Sequence, residues 1–158
     1  MAAIDFDENI LISGFEDSQI ALWTLNDARL IRKLNGHSGG ITGVKINGNY
    51  FATSSYDGSV RLWTLDGDNL AVFDEPNHLL RCIGFTGSTI ISGDFGGHIH
   101  TWEIEIRHPV VQIKKYHSTQ VHKSHVVCLQ VNARRIVSGS RDKSVLVQDF
   151  WASVNKNR

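Results

Sequence analysis

The chain has 158 residues, of which 41% are hydrophobic and 20% are charged, and its 16 basic residues balance its 16 acidic ones. This composition is typical of one folded domain and excludes a disordered or polybasic segment, so binding of nucleic acid through bulk charge is not expected. No apolar run approaches the roughly 20 residues that span a bilayer, and the Met1 end carries acidic Asp5, Asp7 and Glu8 in place of a basic region, so neither membrane insertion nor a targeting signal is expected.

Cys82 and Cys128 are the two cysteines of the chain, and both have apolar neighbours. Small core residues are therefore a better interpretation of both than nucleophiles. The sequence has no disulfide framework and no Asn-x-Ser/Thr sequon, which indicates a reducing, intracellular compartment, cytoplasmic or nuclear.

Short apolar runs separated by turn residues predict β-strands from the beginning of the chain. The first group consists of three runs and a charged fourth run suited to a sheet edge, at 2–6, 10–14, 19–25 and 29–34. In the second group, Asn47-Gly48 and Asp57-Gly58 separate three runs between Gly36 and Leu65. These dipeptides supply the positive φ angles of tight hairpin turns, so they predict a three-stranded meander, with 69–73 as its outer strand.

The second half of the chain repeats this arrangement. The third group of predicted strands lies at 80–85, 89–94, 98–104 and 110–116. The fourth group lies at 126–131, 135–140 and 144–150, and the polar tail 151–158 supplies no fourth strand. The third strands align as IALWTL, VRLWTL, IHTWEI and VLVQDF, with a period of about 40 residues. The chain therefore divides into four repeats, at approximately 1–34, 35–73, 74–116 and 117–150.

These repeats resemble WD40 repeats, the units of β-propellers. The resemblance depends on Gly36-His37, on Ser55-x-Asp57 with Trp63 six residues after the Asp, and on the recurring Ser-Gly of the second strands. It implies an all-β fold of WD40-type propeller blades. It also implies a polar network in the second repeat, from the Trp63 indole to the Ser55 hydroxyl, then to His37 and to Asp57. Such a network is structural and stabilises the blade when every member is paired.

The same three residue types could also form a hydrolase triad of Ser55, His37 and Asp57. Ser55 lacks the G-x-S-x-G elbow, and nothing nearby suggests an oxyanion hole. The sequence also contains no phosphate-binding glycine loop and no H-E-x-x-H motif. We therefore expect neither an enzyme, nor a cofactor, nor a small-molecule substrate.

The other repeats depart from the family pattern. In the first, Phe15 stands where the family has Ser or Thr, and no Gly-His pair precedes it, so its network is expected to be incomplete. In the third, Gly96 replaces the turn Asp and Asp94 takes the Ser position. We expect His78 to pair with Asp94 directly.

A zinc site formed by three histidines near residue 120 is conceivable. Their spacing fits no usual ligand pattern, no cysteine is near, and polar loops commonly carry exposed histidines. No metal site is therefore expected. The three histidines are His117, His122 and His125.

Four three-stranded sets are separated by only three outer strands, so the sequence shows no strand that closes a ring. The interpretations are a C-terminal portion of a longer propeller, a short isoform, or a half that pairs with a second copy to make eight blades. An open or partial propeller exposes one apolar face at each end, and such faces indicate a partner surface or aggregation.

By analogy with the WD40 family, partners are expected to be proteins or peptides bound at the top face of the ring. The exposed positions there are the residue before the turn Asp and the residue entering the first strand. Two arginines and two aromatic residues among them favour an acidic or phosphorylated peptide. The alternative is that these are ordinary exposed residues. The positions are Glu16, Tyr56, Phe95, Arg141, Ala2, Thr42, Arg81 and Val127.

A narrower resemblance is to the C-terminal repeats of F-box/WD40 proteins, the substrate receptors of cullin-RING ubiquitin ligases. It depends on the short connection within 128–140, on Asp149-Phe150-Trp151, and on Leu80-Arg81-Cys82-Ile83, which is similar to a stretch that carries a phosphodegron-contacting Arg. No F-box is present in the sequence. Two function classes follow: substrate recognition in ubiquitin ligation, and a general scaffold subunit in trafficking, RNA processing or signalling.

Overall fold

The computed structural model describes residues 3–74, 78–107 and 110–149, and within these ranges the fold is all-β. Fifteen strands form four antiparallel sheets, in which each strand pairs with the next one in the chain. The first sheet contains β1 (Ala3–Phe6), β2 (Ile10–Gly14), β3 (Ile20–Thr24) and β4 (Leu30–Leu34). The second contains β5 (Ile41–Asn47), β6 (Tyr50–Ser55), β7 (Ser59–Thr64) and β8 (Asn69–Asp74).

The third and fourth sheets repeat this meander. The third sheet contains β9 (Leu80–Thr86), β10 (Thr89–Asp94), β11 (His98–Arg107) and β12 (Val110–Gln120). The fourth contains β13 (Val126–Val131), β14 (Arg135–Ser140) and β15 (Val145–Asp149). The described strands thus form three four-stranded sheets and one three-stranded sheet, as the sequence predicts. None of the described residues forms a helix that could span a membrane.

The two hairpin turns that the sequence predicts in the second sheet are present. Gly48 and Gly58 have φ angles of 60° and 82°, which favour glycine because a Cβ atom is strained there. They connect β5 to β6 and β6 to β7. The Asn-Gly and Asp-Gly dipeptides therefore determine where this chain reverses.

The core consists of three apolar clusters, and each lies between neighbouring sheets. Side chains alternate between the two faces of a strand, so one face of the second sheet packs on the first sheet and the other face packs on the third. Phe51 and Trp63 contribute to the first cluster, with Ile12, Ile20 and Leu22 of the first sheet. Ala52, Val60 and Leu62 contribute to the second, with Ile83, Ile90 and Trp102. The third cluster joins the third and fourth sheets through Cys82, Ile91, Ile99, Val126 and Ile136.

The four sheets form an open arc. β1 packs on β5, β5 on β9 and β9 on β13, but no comparable packing joins the described strands of the fourth sheet to the first. Large apolar side chains are consequently exposed at both ends of the arc, including Phe6 at 64% and Val145 at 73%. The sequence expectation of an open or partial propeller is confirmed.

The expectations about His117 and Cys128 are wrong. His117 does not lie in a polar loop, because β11 and β12 form a hairpin longer than predicted, which extends to Gln120. Cys128 is exposed, whereas Cys82 is buried as expected. Cys82 packs between the third and fourth sheets, but Cys128 lies on the face of the fourth sheet that no further sheet covers. The predictions for Ala2, Phe150 and the tail 151–158 lie outside the described residues.

Candidate functional site

Three of the predicted partner-binding residues occupy equivalent β-bulges. The pairing register shifts at the beginning of the first strand in the second, third and fourth sheets. The residues left out of register there are Thr42, Arg81 and Val127. A bulge bends the strand locally and redirects a side chain. These three positions therefore mark the same edge of three successive sheets.

Three other predicted residues lie at the same edge, in the turns between the second and third strands. The backbone N–H of each turn residue donates to a carbonyl in the loop that enters the same sheet. The bonds run from Tyr56 to Gly40 at 3.0 Å, from Phe95 to Leu79 at 3.1 Å and from Arg141 to His125 at 2.9 Å. This repeated bond fixes each turn against its entry loop, so the edge is a rigid surface.

Side chains from three sheets meet at this edge in what we call the Arg81 cluster, formed by Tyr56, Arg81, Phe95 and His125. Arg81 Nη1 donates to the Tyr56 hydroxyl at 3.1 Å. The Arg81 guanidinium carbon lies 5.7 Å from the centroid of the Phe95 ring, within cation–π distance. Phe95 also contacts Tyr56 edge-on at 5.9 Å and His125 at 4.3 Å between ring centroids.

The structure brings only part of the predicted site together. Tyr56, Arg81 and Phe95 are in contact, but no such contact joins the other predicted residues that the structure describes to them. Thr42 pairs with Ser54 through a hydroxyl–hydroxyl hydrogen bond of 3.0 Å, and Arg141 is exposed on the turn beside His125. Glu16 and Val127 are exposed as well. His125 is a further member of this surface, which the family pattern did not predict. The signal was its position two residues before the bulge, which matches Gly40 and Leu79.

A polar network connects the entry loop of the second sheet to its interior. Trp63 Nε1–H donates to the Thr53 hydroxyl oxygen at 2.9 Å, and that hydroxyl lies 2.8 Å from His37 Nε2. His37 Nδ1 lies 2.9 Å from Asp57 Oδ2. The Asp57 carboxylate can only accept, so His37 donates to it from Nδ1–H. Every polar group in this chain from indole to carboxylate therefore has a partner.

The predicted network is correct for Trp63, His37 and Asp57. The hydroxyl that joins Trp63 to His37 belongs to Thr53 and not, as predicted, to Ser55. Trp63 is paired with Phe51 across the strands, so Thr53 is one diagonal step away and Ser55 is two steps away. Ser55 instead donates to the Gly39 carbonyl at 2.9 Å and accepts the Asp57 backbone N–H at 3.1 Å. Since Ser55 makes no hydrogen bond to His37, the alternative of a hydrolase triad is wrong.

The surroundings of the Asp57 carboxyl group favour its ionised form. Burial would raise the pKa of Asp57, but hydrogen bonds from His37, Ser59 and the Ser38 backbone N–H outweigh it and hold the pKa well below its usual range. Removing the charge therefore weakens the connection between the entry loop and the turn.

The third sheet confirms the predicted contact between His78 and Asp94, whose side chains are hydrogen-bonded. Asp94 is fully buried and also accepts from His100 Nε2 at 3.2 Å and from the His98 backbone N–H at 2.7 Å. Burial would raise the pKa of Asp94, but these three partners hold it well below its usual range. Three histidines thus surround one buried carboxylate, and only His78 was predicted from the sequence.

The fourth sheet has a histidine network that was not predicted from the sequence. His122 was expected to be an exposed loop residue, but it is 4% exposed. Its ring nitrogens lie 2.8 Å from Ser138 Oγ and 2.9 Å from Ser144 Oγ. Ser138 aligns with Thr53, so His122 is the structural equivalent of His37 in the fourth sheet. The sequence did not indicate this role because Val121 precedes His122, where the second repeat has Gly36 before His37.

Comparison with known protein families agrees with this geometry. The family model described as "WD domain, G-beta repeat" matches residues 28–64 and 113–149. Relatives include the mouse (Mus musculus) Periodic tryptophan protein 2 homolog, 27% identical over 97% of the chain, and a guanine nucleotide-binding protein subunit beta of Oryza sativa subsp. japonica, 27% identical over 91%. The chain spans 20% and 41% of the length of these two relatives.

Two solved structures share the arrangement of sheets. The computationally designed Ika4 protein superposes with a TM-score of 0.80 at 27% identity, over 94% of this chain and 89% of that chain. The designed Ika8 protein superposes with a TM-score of 0.79 at 27% identity, over 94% of this chain and 45% of that chain. The four sheets thus correspond to nearly all of the first designed chain and to about half of the second.

Proposed function

We propose that this chain, which is built of WD40 repeats and is a non-catalytic platform for protein interaction, binds acidic or phosphorylated peptides at the Arg81 cluster. The observation that supports this is the contact of Arg81 with both Tyr56 and Phe95 at one rigid edge of three sheets. A guanidinium group held in this way loses little conformational freedom on binding. Its remaining N–H groups suit the oxygens of a carboxylate or phosphate.

The aromatic members of the cluster supply apolar contact area for the same ligand. Tyr56 is 38% exposed, and Phe95 and His125 are partly exposed, so a peptide can pack against their rings. Arg141 is exposed on the neighbouring turn and offers a second positive charge. Aromatic residues and arginine dominate binding energy at protein interfaces, which favours this edge over the rest of the surface.

The finer proposal is that the ligand is a phosphorylated substrate segment and that the chain is the substrate-binding part of an F-box/WD40 ubiquitin-ligase receptor inside the cell, in the cytoplasm or nucleus. It is supported by the resemblance around Leu80-Arg81-Cys82-Ile83 and by the place of Arg81 in the cluster. The alternative is a scaffold subunit of another multiprotein complex. Helical F-box sequence in the same gene product would favour the receptor.

The test is a fluorescence anisotropy titration with a library of acidic peptides, each in phosphorylated and unphosphorylated form. Arg81→Glu combined with Arg141→Glu is expected to weaken binding by at least about tenfold, since a charge-assisted hydrogen bond contributes about 1.5–3 kcal/mol. Binding of only the phosphorylated peptides supports the finer proposal. Binding of both forms supports recognition of acidic peptides in general.

The matched control is Arg134→Glu, which reverses an exposed charge in the turn between β13 and β14, at the opposite edge of the fourth sheet. It is expected to leave binding unchanged. The double variant should melt within about 4 °C of the parent chain, because it loses only surface contacts. Equal binding by the parent and the double variant would contradict the proposed site.

A further inference from the structure

Three side chains with the geometry of a metal site meet beside the turn between β10 and β11. These are His78, which precedes the third sheet, Asp94, which ends β10, and His98, which begins β11. One ligand atom of each lies within 4.8 Å of the other two. Two imidazoles and one carboxylate are a ligand set used by Zn²⁺ in proteins.

The carboxylate of Asp94 is oriented for this role. Its Oδ1 atom accepts the His98 backbone N–H at 2.7 Å, so the other oxygen, Oδ2, faces the imidazoles. His100 Nε2 lies 3.2 Å from Oδ2, and the Nδ1 atom of the same ring lies 3.1 Å from the Tyr116 hydroxyl. His100 is fully buried, so it acts as an outer partner that orients the carboxylate.

His98 provides an independent observation that favours a ligand. Its Nδ1 atom is buried and makes no hydrogen bond, although it lies only 3.1 Å from Asp94 Oδ2. A buried polar nitrogen without a partner is costly, and native structures usually satisfy it. The separation is close to the edge of a tetrahedron around Zn²⁺, about 3.3 Å for ligands at about 2.0–2.1 Å. A cation between the two atoms would satisfy both.

Gly96 provides the space for this arrangement. A Cβ atom at position 96 would lie 2.9 Å from His98 Nδ1, closer than side chains tolerate. The usual turn Asp of the repeat is absent here, and Asp94 stands where the repeat has Ser. Gly96 thus leaves room for the His98 imidazole, and Asp94 places a carboxylate beside that ring. Both residues are departures of the third repeat from the family pattern.

We propose that His78, Asp94 and His98 bind one Zn²⁺ or similar divalent transition-metal ion, with His100 as an outer partner. Three protein ligands leave a fourth tetrahedral position for water or a group from a partner. His78 and His98 have side chains that are 28% and 27% exposed, so the ion can reach the site from solvent. The site adjoins Phe95 of the Arg81 cluster and is independent of whether that cluster binds peptides.

The test uses the full chain without a polyhistidine tag, freed of metal by chelator and titrated calorimetrically with Zn²⁺. We expect one Zn²⁺ per chain, and a Co²⁺-loaded sample with the visible absorption bands of tetrahedral coordination. His98→Ala is expected to weaken Zn²⁺ binding by more than about 100-fold, since loss of an outer partner alone costs about 10- to 100-fold. Metal-free His98→Ala should melt close to the parent, because the ring is partly exposed and its Nδ1 has no hydrogen bond to lose.

The control is His117→Ala, which removes an exposed histidine of β12 whose ring contacts only Thr119 among the hydrogen bonds of the described residues. It should bind Zn²⁺ as the parent does. Absence of stoichiometric Zn²⁺ binding in the parent, or equal affinity in His98→Ala, overturns the proposal. A Co²⁺ spectrum without tetrahedral bands would also overturn it.

Discussion

The carboxylate of Asp5 in the first sheet accepts the backbone N–H of Ile46 in the second sheet, with a distance of 2.8 Å. The Lys45 ammonium lies 3.4 Å from the other oxygen of the same carboxylate. This side chain therefore connects two neighbouring sheets, which also meet through apolar contacts and through the hydrogen bond from the Ile41 backbone N–H to the Phe15 carbonyl at 2.9 Å. It satisfies a backbone donor on β5.

Asp5→Ala is expected to destabilise the chain by about 1 kcal/mol, because the Ile46 N–H loses its partner. For a chain of this size the melting temperature should fall by about 2–4 °C. Glu8→Ala removes a nearby exposed carboxylate and should leave the melting temperature unchanged. An equal melting temperature for Asp5→Ala and the parent would show that the inter-sheet bond contributes nothing.

The network of the second sheet predicts energetic coupling between Thr53 and Trp63. Thr53→Val removes the hydroxyl that accepts from Trp63 and contacts His37, so it should cost about 1–3 kcal/mol. In a double-mutant cycle with Trp63→Phe, urea unfolding should give a coupling of about 1 kcal/mol.

The matched cycle combines Ser55→Ala with the same Trp63→Phe substitution. Ser55 makes its hydrogen bonds at the turn and not to the indole, so the two effects should add within about 0.5 kcal/mol. Coupling of Trp63 to Ser55 and not to Thr53 would contradict the hydrogen bonds found here.

The location of the strands and turns could be predicted from the sequence because the signals are local. Asn47-Gly48 and Asp57-Gly58 determine turns by their own backbone preferences, and Trp63 identifies the third strand by its position. The hydroxyl partner of Trp63 could not be predicted in the same way. It depends on the pairing register, which places Thr53 and not Ser55 next to the indole.

The candidate sites were predictable only in part, since they depend on contacts between sheets. Arg81 and Phe95 were identified as exposed positions, but their contact depends on a bulge and a turn that meet in three dimensions. The convergence of His98 and His100 on Asp94 could not be read from the sequence either. His98 and His100 are two residues apart and share one face of β11, and they reach the same carboxylate only because the β10–β11 turn reverses the chain beside Asp94.

Asp57 predicts a loss of stability in acid. Its pKa is lowered in the folded state, so its contribution is fully present above the unfolded value of about 3.9 and is lost as the pH falls below it. We expect Asp57→Asn to be less stable than the parent at neutral pH and to lose less stability between about pH 5 and pH 3. Urea unfolding across this range measures how the free energy of unfolding changes with pH in the parent and in Asp57→Asn. Equal changes in the two proteins would contradict a role for the Asp57 charge.

The two free faces of the arc predict head-to-tail pairing of two chains. Val145 and Val147 align with Val60 and Leu62, which are fully buried against the following sheet, yet Val145 and Val147 are 73% and 56% exposed. At the other end, Phe6 aligns with Ile46, which packs against the preceding sheet. Each free face therefore exposes apolar positions that are buried between sheets in the middle of the arc. Exposed apolar faces of this kind usually mark an interface.

Two arcs joined in this way would give eight sheets and would bury both free faces, because the fourth sheet of each chain covers the first sheet of the other. Light scattering on the purified chain is expected to give the mass of two chains. Phe6→Lys and Val147→Lys should each shift the mass toward one chain, since each places a charge in the apolar contact. Tyr56→Lys, at the edge of the arc, should leave the mass unchanged. A mass of one chain at every concentration would contradict pairing and would favour further sheets supplied by additional sequence.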